Sequence, residues 1–464
     1  MTSPAPVHNL AYLRERVDYL TSIRSSQPIE RTWIVSEMSY IPDKWRWFPE
    51  SRYGAFIHWG PYAAYGRGEQ VLFREHLDPR EYEQRACMWN PTHYDPALWA
   101  ETIKQAGFRY AVLTTRHHDG FCLWNTATTD YSSTAQAPGR DFVGEFVDAF
   151  RAAGLRVGLY YSLLDWRLPA WFEGPEKNPT GWATVRDYVH AQVDELLSNY
   201  GKIDVIWFDG VWPRTREDLD GDRLVARMRA LQPDILINNR LGGKDTGDIG
   251  TPEHHITAED RLWESCQVTT WRLWGYTTGE RWRDADRLLD MLCECAQKGG
   301  NLLLNVGPQA DGQLPPEFVT RALDIGRWLK VHGEAVYGTD GGDLTEFITR
   351  GWQTTKGNAL YLIFRFWDGC STLRLADLVT PVERVELLTT GQVLPFEQRG
   401  EELIVSGLPR IAPTALFPVV KVTCSGKPEA NQWGRERLWG GDPQRVADWA
   451  RQRGETPTAF NSSK

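Results

Sequence analysis

From residue 53 to about residue 310 the chain alternates short, nearly continuous apolar runs with longer stretches of helical periodicity, and this alternation is the strongest constraint on its fold. The runs are Tyr53–Trp59 (YGAFIHW), Tyr110–Thr115, Val157–Ser162, Asp204–Asp209 (DVIWFD), Ile235–Arg240, Arg261–Cys266 and Asn301–Val306 (NLLLNV). Several lack the in-and-out alternation of a strand with one wet face, so they read as parallel strands covered on both sides and joined by crossover helices. The helices are marked at their ends. Asp95 caps a segment with Pro96 in its first turn and Gly107 after its last, Gly144–Ala153 stops at Gly154, and Trp182–Tyr200 stops at Gly201. Seven strands with helices between them predict an α/β fold of the (β/α)8 type, a TIM barrel with one strand irregular or unrecognised. An open doubly wound sheet is the alternative, weakened because no phosphate-type glycine fingerprint follows the first strand.

After a helical pattern at Pro316–His332 the texture changes to closely spaced strands: Ala359–Phe366, Ser371–Leu375, Val382–Leu388, Glu402–Val405 and Ala415–Cys424. Gly, Asp and Pro separate them, the pattern of a small antiparallel β-sandwich. The expected organisation is an N-terminal arm (1–44), a barrel (45–340), a sandwich (341–425) and a C-terminal tail (426–464), which suits a length of 464 residues.

A net charge of −9 lacks the basic footprint of a nucleic-acid binder, so no nucleic-acid partner is expected. No apolar stretch reaches membrane-spanning length, and Arg14, Glu15, Arg16 and Asp18 interrupt any signal-peptide pattern, so a cytoplasmic protein with no membrane partner is expected. Seven scattered cysteines fit a reducing compartment rather than a disulfide framework. Cys293 and Cys295, two apart on a predicted helix, point to different sides and do not suit a shared metal. A homo-oligomer is compatible with the sequence.

In a barrel the reactive groups sit at the C-terminal ends of the strands. Here those ends carry His58-Trp59, His117-His118-Asp119, Tyr160-Tyr161 with Asp165-Trp166 beyond, Trp207-Phe208-Asp209 and Asn238-Asn239-Arg240, followed by Glu253 and Glu264. A lone histidine or a strand-end Asp is commonly structural; polar groups and tryptophans converging from several strands on one rim are not required for stability alone. With 22 Trp in the chain, aromatics beside carboxylates suggest a sugar, whose apolar face contacts indole while two carboxyl groups flank the scissile bond. Asp209, held between apolar residues and Gly210, has the rigid setting a nucleophile needs. A metal-dependent hydrolase is the competing chemistry, although adjacent pairs such as His117-His118 and His254-His255 do not have the spacing of shared ligands.

The ordered segments FIHWG, TTRHHDGF, GLYYSLLDW, WFDG, INNR, TPE, WESC, WGY and GGNLLLNVGPQADG resemble the glycoside hydrolase family 29 α-L-fucosidases over roughly residues 45–340. The resemblance implies a retaining exo-hydrolase that releases terminal α-linked L-fucose from oligosaccharides or glycosides without metal or organic cofactor. Asp209 matches the nucleophile. His58, Glu69, His117, His118, Trp207, Arg240 and Tyr160 or Tyr161 (Tyr160 preferred) match substrate-binding positions, and Trp59, at the end of the first strand, is a further substrate-binding candidate from its position alone. For the acid/base the resemblance favours Glu253, with Glu264 as alternative; a retaining pair should stand about 5–5.5 Å apart. Gln70 departs from the pattern, standing where many relatives carry tryptophan after Glu69. A scaffold that binds carbohydrate without turnover remains the other reading of the same motifs.

Overall fold

The computed structural model describes residues 41–430, apart from 244–246, 343, 346, 348 and 349; most of the expected N-terminal arm and C-terminal tail lies outside the described residues. Eight parallel strands form one sheet: β1 Tyr53–Ile57, β2 Tyr110–Arg116, β3 Arg156–Ser162, β4 Val205–Asp209, β5 Leu236–Ile237, β6 Ile249–Gly250, β7 Leu262–Val268 and β8 Asn301–Val306. Their spatial order is β5-β4-β3-β2-β1-β8-β7-β6, and a single bridge between Asn238 and Ile249 brings β5 against β6 to close the ring. The strand that escaped sequence reading is β6, whose two residues are too few to show periodicity.

Helices cover the outside of the barrel. Pro96–Gln105 starts as its sequence predicts, with the Asp95 carboxylate accepting from the Leu98 N–H at 3.0 Å. Phe142–Ala152 and Pro179–Ser198 likewise begin on side-chain caps, from Asp141 and Asn178. Cys293 and Cys295 lie on the helix Ala285–Gln297, buried and unpaired.

The strands sort their side chains by parity. One set, with Phe56, Tyr110, Val112, Tyr160, Val205, Trp207, Cys266 and Leu303, forms an apolar cluster inside the barrel. The other set, with Ala55, Ile57, Leu113, Leu159, Tyr161, Ile206 and Phe208, packs outward beneath the helices. Successive strand residues point to opposite faces, so one step along the chain exchanges pocket for core.

Beyond the helix Pro316–His332, an antiparallel six-stranded sheet and a three-stranded sheet enclose a second core around Leu360, Leu362, Leu373, Val385, Leu403 and Val422. The strands Gly351–Lys356 and Phe396–Arg399 belong to these sheets and were not anticipated. The Trp328 indole donates to the Phe417 carbonyl at 2.7 Å, tying the last barrel helix to the sandwich.

Candidate active site

A pocket opens at the C-terminal end of the barrel, lined by Phe56, His58, Gln70, His117, His118, Tyr160, Trp207, Asp209, Trp212, Arg240, Glu253 and Trp274. Asp209 is the last residue of β4, whose end is clamped by the Asn238 side chain: it accepts from the Phe208 N–H at 2.8 Å and donates to the Phe208 carbonyl at 2.9 Å. One Asp209 oxygen accepts from the Tyr160 hydroxyl at 2.9 Å and lies 3.8 Å from His118 Nε2; the other lies 3.3 Å from Arg240 Nη1. Burial alone would raise the Asp209 pKa, but the Arg240 guanidinium foremost, with the Tyr160 hydroxyl and the Gly210 N–H, holds it below the ordinary carboxylate value. Asp209 is therefore kept ionised inside the pocket.

The same Arg240 Nη1 stands 2.9 Å from Glu253, so the facing oxygens of Asp209 and Glu253 are at most about 6.2 Å apart (3.3 plus 2.9 Å). That bound on the facing oxygens accommodates the spacing of about 5–5.5 Å expected of a retaining pair. Arg240 is itself fixed by the Thr251 hydroxyl at 3.0 Å and lies with its guanidinium carbon 4.6 Å from the Trp207 ring centre.

Three imidazoles complete the polar wall. Asn305 donates its amide to the Trp274 carbonyl at 2.7 Å, so its oxygen faces His58 Nδ1 at 2.6 Å as an acceptor. Ser162 donates to the Leu164 carbonyl at 2.6 Å and thus accepts from His118 Nδ1 at 2.7 Å. Both rings are thereby assigned the Nδ1–H tautomer, leaving each Nε2 as a hydrogen-bond acceptor. Burial pulls His58 down to about 3 and lowers His117 and His118 as well, so the wall is neutral. The buried His117 Nδ1 has no protein partner.

Several residues expected at the site lie elsewhere. Trp59 follows inward-facing His58 and so points out: its indole donates to the Gln309 carbonyl at 2.9 Å and it packs on Trp89, Trp99 and Phe142. Tyr161 is outward for the same reason, donating to Gln192 at 2.9 Å and packing on Arg116; Tyr160 is the tyrosine of the pocket. Glu264 is fully buried below the pocket, accepting from the Trp207 indole at 3.0 Å and the Tyr110 hydroxyl at 2.6 Å. Glu69 sits behind the lining residues, where one oxygen accepts from the N–H groups of Trp274 and Gly275 and the other has no protein partner. Asp119 and Asp165 brace the histidine loop, bonded to Tyr82 and Arg167 respectively.

Phe56, Trp212 and the supporting Asn305 were not singled out from sequence, whereas Trp274, in the WGY segment, was among the loop tryptophans expected at a sugar pocket and does line it. Phe56 was accessible to parity, two residues before His58; Trp212 and Trp274 come from loops with no such rule. Among the described residues no group of three His, Cys, Asp or Glu side chains is placed to hold a metal ion.

A (β/α)8 barrel whose mouth gathers two carboxylates about one guanidinium, neutral imidazoles and indole faces defines a glycoside hydrolase. A family model for α-L-fucosidase matches residues 21–334. The tissue α-L-fucosidase of Bos taurus is 30% identical over 405 residues, covering 80% of this chain and 86% of that protein. The tissue α-L-fucosidase of Homo sapiens is 28% identical over 433 residues, 85% and 91% of the two chains. Among solved structures, α-L-fucosidase isoenzyme 1 from Paenibacillus thiaminolyticus superposes with a TM-score of 0.77 at 36% identity, covering 82% of this chain and 99% of its own. A family 29 α-L-fucosidase from Bacteroides thetaiotaomicron, trapped as a covalent intermediate with 2-fluoro-fucosyl fluoride, gives 0.75 at 27% identity over 83% and 96%. The chain belongs to the α-L-fucosidase family, glycoside hydrolase family 29, and its activity is that of an α-L-fucosidase.

Proposed function

We propose that the pocket takes the terminal α-linked L-fucosyl residue of a fuco-oligosaccharide or fucoside and that Asp209 and Glu253 cleave it by double displacement. An Asp209 oxygen attacks the anomeric carbon as the bond to the leaving oxygen breaks, and Glu253 gives that oxygen its proton. The product is a fucosyl ester of Asp209. Water then attacks the same carbon, Glu253 takes its proton, and Asp209 leaves as a carboxylate. The observation that supports this reading is the Arg240 Nη1 shared by the two carboxylates, 3.3 Å from Asp209 and 2.9 Å from Glu253.

The neutral His58 and His118 suit sugar hydroxyls as donors to their free Nε2 atoms, and His117 Nδ1 is a further polar site for one. Phe56 and Trp207 offer an apolar floor for the ring edge and the 6-deoxy methyl group. Glu264 works as the anchor of Trp207 rather than as the acid. A net charge of −9 and seven unpaired thiols favour a saccharide partner, not a nucleic acid, in a reducing compartment such as the cytoplasm. The test is Asp209→Ala: turnover of an activated fucoside should fall by several orders of magnitude, and azide should restore it with an inverted fucosyl azide as product. Full residual activity would remove Asp209 from the mechanism.

A further inference from the structure

A run of aromatic rings extends from the pocket lining onto its rim, and the outer rings have no role in the chemistry above. His118 is buried and stands 3.8 Å from Asp209, so it marks the reacting end of the site. Two further indoles contact its ring. Trp212 meets it edge-on, with centroids 5.9 Å apart. Trp166 also contacts His118, 5.5 Å away, and carries Phe73 stacked on it at 5.7 Å with an interplanar angle of 24°. The outer members are open to solvent: Trp212 is 55% exposed and Phe73 62%.

These rings come from three different loops, those after β1, β3 and β4, yet they form one line continuous with the pocket lining. Exposing such rings gains the fold little, because apolar surface is stabilising only once water is removed from it. Contiguous exposed apolar surface at the mouth of a site is characteristic of a place where a ligand supplies the missing cover.

The reaction fixes which part of the ligand that is. Asp209 and Glu253 flank the glycosidic oxygen, so the fucosyl ring lies inward of them and everything attached to that oxygen lies outward, over the rim. A hexopyranose there presents a flat array of C–H groups that fits an indole or phenyl face, while its hydroxyls stay in water or meet the Gln70 amide, which also lines the mouth. We propose that Trp212 and the Phe73–Trp166 stack form the subsite for the leaving group, built to hold the sugar to which fucose is attached. The rim then supplies, from Phe73 of the same segment and from the loops after β3 and β4, the aromatic surface absent at Gln70. This inference rests on the fucosidase reading above and adds where the second sugar binds.

The test compares substrates that share the fucosyl group and differ in what leaves: α-L-fucosyl fluoride, whose leaving group is one atom; an α-linked fucosyl-galactose disaccharide; and an aryl α-L-fucoside. In Trp212→Ala and in Phe73→Ala the ratio of kcat/KM for the disaccharide to that for the fluoride should fall by about tenfold, the worth of one aromatic contact. Trp212→Phe, which keeps a ring, should recover most of the ratio. An unchanged ratio overturns the subsite, as does an equal loss on both substrates. A loss confined to the aryl fucoside also overturns it, since the rim would then select aryl groups rather than sugars. A folded wild-type chain that cleaved none of the three would sink the fucosidase reading itself, a different outcome from any of these.

Discussion

Replacing Glu264 by glutamine separates a buried structural carboxyl from a catalytic one, and the structure sets the size of the effect. Burial pushes the Glu264 pKa from 4.5 up to about 7, against the opposing pull of the Tyr110 and Trp207 hydrogen bonds and of Arg240. A folded-state value above the unfolded one means that the native chain holds this proton more tightly. The resulting stability is fully present below about pH 4.5 and is lost as pH rises through 7. The difference of about 2.5 pH units corresponds to about 3 kcal/mol, of which ~2 kcal/mol disappears between pH 5 and 7.

Glutamine carries no charge at any of these pH values, so the variant lacks that slope. It can accept only one of the two hydrogen bonds that Glu264 accepts, from Trp207 and Tyr110, a pH-independent cost of about 1–2 kcal/mol. The two effects cross. At pH 5 the variant should unfold level with or below wild type; at pH 8 it should unfold above it, a relative swing of roughly 2–4 °C. Thermal scans of both proteins at one fixed rate between pH 5 and 8 measure this, and subtracting one curve from the other cancels the remaining titrating groups. Parallel curves would refute the raised pKa. A loss of activity greater than a hundredfold with the stability curves as predicted would refute the anchoring role and return Glu264 to candidacy as the acid.

Glu253→Ala should slow substrates with poor leaving groups by about 10²–10⁴-fold and spare those that need no proton; azide should then give a fucosyl azide of retained configuration, and an inverted product would contradict the assignment. With His58 drawn down to about 3 and His117 and His118 also lowered, none of these rings charges near neutrality, so kcat/KM measured against pH should show no imidazole step near 6.5. Such a step, abolished by His58→Asn, would overturn the neutral wall. Arg240→Met leaves Asp209 and Glu253 facing each other without their common cation; the loss falls mainly on the less exposed Asp209 partner, and a lost charge-assisted hydrogen bond costs about 1.5–3 kcal/mol. Both a lower unfolding temperature and a loss of turnover are expected, and an unaltered kcat/KM would rule out the bridging role.

The strand order was legible because buried parallel strands are continuous apolar runs, and the candidate residues were legible because a barrel brings its strand ends together. Two further rules separate the residues that reach the pocket from those that do not, and only one of them is written in sequence. Parity is: β1 presents Phe56 and His58 inward, so Trp59 must face the helices, and Tyr160 inward forces Tyr161 out. Applied strictly, it excludes both misplaced aromatics and recovers Phe56.

Depth is not, because it depends on how each strand is staggered against its neighbour. Glu264 has inward parity, yet its register partner is Asn301, at the start of β8, whereas Asn305, which holds His58, is four residues further up the same strand. Glu253 pairs with Cys266 in an isolated bridge, one inward layer above Glu264. Two glutamates eleven positions apart in sequence thus end one layer apart in the barrel, the lower bonded on both oxygens in the core, the upper 37% exposed beside Arg240. Of the two, the upper one lines the pocket where a leaving group would stand, which is why it is the one proposed as the acid. Stagger, more than residue type, therefore distinguishes the candidate catalyst from the anchor beneath it.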